Sequence, residues 1–178
     1  MFSIPKKTSD GKYFVKPLEK TFVQLDAIRW VSHDDNAVTI GLDEHSTTKI
    51  TDVDAKIIQA AKDNSELWFE RKVADKTIEA AFTKVIATEH DMSETWKNIM
   101  NVTRAAGSKV YVNKQSVDAS IITEGSICDV VLEFCGVTFG KKNYGPSWRL
   151  VQTRVRQPRK KAYDDYLFQG DSDHSDSD

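Results

Sequence analysis

Cysteine and histidine are scarce: the 178 residues include two cysteines and four histidines. Cys128 and Cys135 lie seven apart in one predicted strand. At about 3.3 Å per residue they project to opposite faces roughly 23 Å apart, which excludes a local disulfide and leaves them as buried thiols. His33, His45, His90 and His174 are scattered and fit no zinc spacing. Acid pairs such as Asp34-Asp35, Asp43-Glu44 and Asp52/Asp54 read more simply as turn and helix-cap residues than as metal ligands. Apolar runs long enough to span a bilayer are also missing, and residues 1–7 have neither the apolar core nor the cleavage site of a signal peptide. The chain therefore reads as soluble and intracellular. Gly140 to Gly145 is followed by a strand rather than by a helix, so it is not a phosphate-cradling loop. With no nucleophile set beside a base, the pattern points away from an enzyme and calls for no cofactor.

What is present is ordinary in bulk and uneven in distribution. Hydrophobic residues make up 39% and charged residues 29% of the chain, enough to bury a core without covalent staples. The formal net charge of -2 averages two regions of opposite sign. Lys141, Lys142, Arg149, Arg154, Arg156, Arg159, Lys160 and Lys161 fall within one stretch that holds no acid. Asp164, Asp165, Asp171, Asp173, Asp176 and Asp178 follow in a tail without Lys or Arg. Setting those six aside leaves 21 acids against 25 Lys and Arg, so the rest of the chain carries about +4. The expected organisation is one folded domain over 1–162 and a disordered acidic tail over 163–178.

Along the chain, residues 1–20 read as a loose arm with an extended piece at 13–15. Residues 21–32 and 37–42 form a predicted hairpin about the turn His33-Asp34-Asp35-Asn36. Thr51 is the expected N-cap of a helix ending near Asp63-Asn64, and Leu67-Trp68-Phe69 forms an apolar plug. Ile78, Ala81, Phe82, Val85 and Ile86 share one face of a helix predicted over 74–88. A further short helix over 90–102 would use Met92, Trp96, Ile99 and Met100. Strands are expected at 109–113, 117–122, 126–139 and 147–157, with a turn at Glu124-Gly125. The fold class is α+β, with helices inserted in a small antiparallel barrel.

Strict alternation along the last strand puts Trp148, Leu150, Gln152, Arg154 and Arg156 on one face and Arg149, Val151, Thr153 and Val155 on the other, which is the better core face. The first face would then offer a ring for base stacking and guanidinium groups for phosphate. Lys141, Lys142 and Tyr144 extend it, and Gly140 and Gly145 would let backbone approach a ligand. Trp148 is equally readable as half-buried structure, and a basic run as a solvated face. The acidic tail reads as a solubility segment or as a tethered competitor for the basic groove, with Tyr166 and Phe168 as apolar anchors.

Ser65-Glu66-Leu67-Trp68-Phe69-Glu70-Arg71-Lys72, Leu132-Glu133-Phe134-Cys135-Gly136-Val137-Thr138-Phe139, Lys141-Lys142, Tyr144-Gly145, Ser147-Trp148 and Val151-Gln152 occur in an order that resembles the replicative single-stranded-DNA-binding proteins of short-tailed phages. The order resembles in particular that of their relatives in nucleocytoplasmic large DNA viruses. The resemblance implies an OB-fold barrel and sequence-independent binding of single-stranded DNA in replication or recombination. It also implies a homodimer in a viral replication compartment, and an acidic tail that contacts DNA polymerase, helicase or primase. On that reading Lys141, Lys142, Tyr144 and Trp148 occupy the family's aromatic-basic hairpin. Arg149, Arg154, Arg156 and Arg159 to Lys161 add phosphate contacts, and Asp164 to Asp178 take the place of the tail. Two alternatives remain: an RNA-binding OB protein, and a protein-interaction adaptor.

Overall fold

Val23, Leu25, Ile28 and Trp30 give residues 21–33 the β-branched and aromatic bulk of a half-buried strand. In the computed structural model, which describes residues 2–88 and 94–157, that segment is the 13-residue strand β3 (Thr21–His33). Two short strands precede it, β1 (Lys6–Lys7) and β2 (Tyr13–Val15). As expected, β3 turns at Asp34, whose carboxylate accepts the Asn36 and Ala37 N–H groups, into the antiparallel β4 (Ala37–Leu42).

Helix α1 (Glu44–Asp63) begins two turns before the sequence suggests. Its N-cap is Asp43, which accepts the Ser46 N–H at 2.8 Å, and Thr51 lies inside the helix. In the Thr-rich first turns the hydroxyls of Thr47, Thr48 and Thr51 donate back to the carbonyls of Asp43, Glu44 and Thr47, so the helix is compatible with these residues although such bonds do not add to its stability. Such bonds satisfy side chains that would otherwise compete for the backbone. Ser46, Ile50, Asp54, Ile57 and Ala61 make the buried stripe.

The apolar plug is the short helix α2 (Ser65–Phe69), with Trp68 buried and Leu67 half exposed. The helix expected over 74–88 is confined to α3 (Asp75–Ala81). At Phe82 the backbone turns extended, and the Thr83 N–H donates to the Tyr144 carbonyl at 2.8 Å. Ile86–Thr88 then forms β5 on the edge of β6 (Asn98–Val112). The last part of the short helix expected over 90–102, residues 98–102, is β6 as well; Met92 lies outside the described residues, and Trp96 sits in the 3₁₀ turn Glu94–Trp96. Met100 and Val102 point inward while Asn101 and Thr103 are exposed, the two-residue period of a strand. Tertiary pairing overrides helix periodicity at both places: β4 and β5 flank the same stretch of β6 and satisfy its backbone groups.

β7 (Gln115–Val117), β8 (Ile127–Phe139) and β9 (Tyr144–Val155) complete the set. The pairings close a ring: β3 with β4, β4 with β6, β6 with β9 in parallel, β9 with β8, and β8 back to β3. This is an α+β OB-like barrel, the expected fold class. Its interior holds Leu25, Ile28, Trp30, Ile40, Met100, Leu132 and Leu150, all at 2% exposure or less. A second apolar layer ties the N-terminal arm and α2 to the end of the β8–β9 hairpin. Phe2 meets Trp68 edge-on at 5.2 Å, Trp68 meets Phe139 at 5.6 Å, and Phe69 meets Tyr144 at 5.6 Å. Cys128 is buried and Cys135 half-buried, both free. Among the described residues, no helix is long and apolar enough to cross a membrane.

Candidate nucleic-acid interface

The β8–β9 hairpin turns through Gly140 to Asn143, closed by the Gly140 N–H donating to the Asn143 carbonyl at 2.8 Å. Lys141 and Lys142 stand exposed on this tip. They rim a groove of about 510 Å³ whose other walls include Tyr13, Leu67, Phe69 and Arg71. Tyr144, expected to stack on bases here, is 2% exposed. Its ring lies among Phe69, Phe82 and Phe139. Burial, with a smaller contribution from Glu79, pushes its phenol up to about 12. Gly145 also differs from expectation. The close approach it allows is to the chain's own backbone, since a Cβ there would sit 2.6 Å from the Thr83 carbonyl oxygen.

Strict alternation fails in β9 because of a bulge. Leu132 pairs with Leu150 but Val131 pairs with Gln152, so Val151 is the extra residue. A one-residue slip exchanges the faces of a strand. Trp148 and Leu150 therefore face the core before the bulge, and Thr153 faces it after. Trp148 is 5% exposed and packs on Phe134 at 5.3 Å, so in this arrangement it has no open face for a base. Arg149, assigned by alternation to the core face, points outward, and Gln152, Arg154 and Arg156 are exposed as expected.

The three arginines are held by carboxylates of β8. Arg149 Nε donates to Glu133 at 2.7 Å, and this hydrogen bond is the chief reason the Glu133 carboxyl lies below its ordinary range. Arg154 and Arg156 converge on Asp129 at 2.6 and 2.5 Å. Asp129 Oδ1 also accepts the Ala27 N–H at 2.9 Å, where β3 bulges through a left-handed Ala27. Burial would raise the Asp129 carboxyl, but the bonds from Arg156, Ala27 and Arg154 outweigh it and hold the group low. Three guanidinium groups against two carboxylates leave the strip net positive. The arginine side chains keep 45 to 58% of their surface exposed. Their outer edges can donate to an anion without breaking the inner bonds, because a guanidinium carries five N–H groups.

The structure thus brings Arg149, Arg154 and Arg156 onto one outward strip and sets Lys141 and Lys142 at the hairpin tip. Arg159, Lys160, Lys161 and the acidic positions from Asp164 to Asp178, with Tyr166 and Phe168, lie outside the described residues. Sequence reasoning overlooked Phe22, which is 52% exposed although its neighbours in β3 look like core. The available signal was the two-residue period itself, which places Val23 and Leu25 inward and Phe22 out.

Solved structures that share this fold include three of the single-stranded DNA-binding protein from bacteriophage Enc34. The one in complex with ssDNA has a TM-score of 0.51 and covers 87% of this chain and 95% of its own. A C-terminal truncation has a TM-score of 0.54 with the same coverage, and a third structure has 0.52, covering 87% and 89%. Identity is 13% in each case. Among curated proteins, none matches the sequence. Residues 26–170 match a family described only as a family of unknown function (DUF5871), and with most of its length inside that match the chain belongs to this family.

Proposed function

We propose that the protein binds single-stranded DNA without sequence preference and without catalysis. The observation that carries this reading is the outward strip of Arg149, Arg154 and Arg156 on an OB-like barrel. OB barrels bind oligonucleotides on their outer strand faces and loops, and the phage protein of the same fold was solved in complex with ssDNA. The strip and the tip lysines, Lys141 and Lys142, neutralise phosphates; Arg159, Lys160 and Lys161 extend the positive charge. The acidic positions Asp164 to Asp178 act as a tethered competitor for the same surface. When displaced by DNA, they become available to replication proteins such as a polymerase, helicase or primase. Coating single strands during viral DNA replication or recombination is the role that fits these properties.

Fluorescence anisotropy with a labelled oligo-dT, titrated at several salt concentrations, tests the proposal. Affinity should fall with salt at a slope of about -0.7 per phosphate contact. A chain ending at Tyr163 should bind more tightly than the full chain. No binding by either form at low salt refutes the reading. Tighter binding of RNA than of DNA of one sequence would instead favour an RNA-binding role, because only RNA offers the 2′-hydroxyl.

A further inference from the structure

With Tyr144 and Trp148 packed inside, the arginine strip lacks the rings that a single-strand binder needs for stacking. We infer that the outward face of β3, β8, β9 and β6 is itself the single-strand track, with Phe22 and Tyr111 as its base-stacking rings. This rests on the single-strand-binding reading and names the surface and side chains that serve it.

Strand registry puts three rows on this face. Phe22 pairs with Glu133 and Glu133 with Arg149. Gln24 pairs with Val131, Val131 with Gln152, and Gln152 with Lys109. Asp129 pairs with Arg154, and Arg154 with Tyr111. The intervening residues Val23, Leu25, Val130, Leu132, Leu150 and Thr153 are buried or half-buried on the inner side, which fixes the orientation of the rows. Spacings of about 3.3 Å per residue and 4.8 Å between strands put Phe22 and Tyr111 roughly 20 Å apart along the diagonal.

Each ring has cations beside it. Near Phe22, a groove of about 310 Å³ is lined by Lys16, Lys20 and Arg149 together with Phe14 and Leu18. Its one carboxylate, Glu133, is paired with Arg149. Tyr111 lines a second groove, of about 330 Å³, with Lys114, Arg154, Gln24 and Gln152. The carboxylate lining that groove, Asp129, is held by Arg154 and Arg156, and Asp26 of β3 is occupied by Lys49 at 3.7 Å and by the Gln24 amide at 2.7 Å. A single exposed Phe is unremarkable on a protein surface. Aromatic rings flanked by cations at both ends of a row of arginines match the two things a single strand presents, base faces and phosphates. A purely apolar partner would bury Lys16, Lys20 and Lys114, which have no ion pair among the described residues, without compensation, and this argues for a polyanion as the occupant.

The test uses the full chain, a labelled oligo-dT and an abasic oligomer of equal length. Phe22→Ala and Tyr111→Ala should each weaken oligo-dT binding by about 5- to 150-fold, the range expected for one lost stacking contact. Binding of the abasic strand should be unchanged. Phe22→Trp and Tyr111→Phe, which keep a ring, should retain oligo-dT affinity. If wild type binds oligo-dT and both alanine variants bind equally well, the track is wrong while single-strand binding stands. Equal losses on the abasic strand would also refute stacking. Conversion of a wild-type dimer to monomer by Phe22→Ala, with DNA affinity unchanged, would make the face a contact between copies and overturn the inference. Failure of wild type to bind any single strand removes the binding reading and the track together.

Discussion

Asp54 offers a sharp test of the packing around α1. The residue lies on the buried stripe of that helix at 5% exposure, and neither carboxylate oxygen has a hydrogen-bond partner among the described residues. Desolvation pushes its pKa up from 3.8 to about 6, against a weaker opposing pull from Lys84. Because the folded value exceeds the unfolded one, the fold favours the protonated acid. This residue's contribution is therefore most favourable below pH 4, declines as the pH rises toward 6, and stays unfavourable above. A rise of that size corresponds to about 3 kcal/mol of destabilisation at neutral pH, because each pH unit between the folded and unfolded values is worth about 1.36 kcal/mol. Asp54→Asn keeps the shape and removes the charge. It should raise unfolding free energy by about 1–3 kcal/mol at pH 7.5 and by no more than about 0.5 kcal/mol at pH 4. Urea unfolding of both proteins at the two pH values measures this, and their difference cancels the other carboxylates. An Asp54→Asn variant that is no more stable than wild type at pH 7.5 would refute the claim that this carboxylate is buried without compensation.

Three further outcomes follow from local geometry. Gly136 has φ of +140°, and an added Cβ would overlap the Val15 carbonyl oxygen and sit 2.8 Å from Phe14 Cζ. Gly136→Ala should therefore destabilise the fold by about 3 kcal/mol or more by displacing β2 from β8, as read by thermal melting. Tyr144→Phe removes a buried hydroxyl without a partner among the described residues. It should leave stability equal or higher by up to about 1 kcal/mol, with oligo-dT affinity unchanged, whereas a tenfold loss of affinity would return Tyr144 to the binding surface. Asp43→Ala deletes the carboxylate that caps α1, and a loss of about 1 kcal/mol in chemical denaturation is expected.

Legibility in the sequence follows the range of the interaction. The hairpin of β3 and β4, the piece at 13–15 and the long strands near the C-terminal end can be read because β-branched bulk and turn residues act locally. Residues 85–88 and 98–102 mislead because Val85, Ile86, Ile99 and Met100 also suit a helical stripe. The pairing of β6 with β4 on one side and β5 on the other decides the matter. The start of α1 escapes a sequence reading because a run of Ser and Thr looks like a loop until its hydroxyls find carbonyls four residues back.

The candidate site divides in the same way. Composition alone places the cations, and every one of Lys141, Lys142, Arg149, Arg154 and Arg156 is exposed. Which rings accompany them is only partly legible: the period of β3 turns Phe22 outward, but the inward packing of Trp148 and Tyr144 depends on distant neighbours. Aromatic residues serve a core and a stacking surface equally well, so only their neighbours separate the two. Trp148 fills space beside Phe134, while Phe22 has an exposed ring.

By itself the sequence determined that charge is segregated along the chain, that the last strands form a basic hairpin and that the class is α+β, since these depend on residue type and near neighbours. Tertiary structure alone decided that the strands close through the parallel pairing of β6 with β9, and that Val151 is bulged. It also decided that Asp129 draws two arginines together across β8 and β9. The physical reason is that one extra residue in a strand reverses every side chain on the shared face, and the partner strand that accommodates it lies far away in sequence.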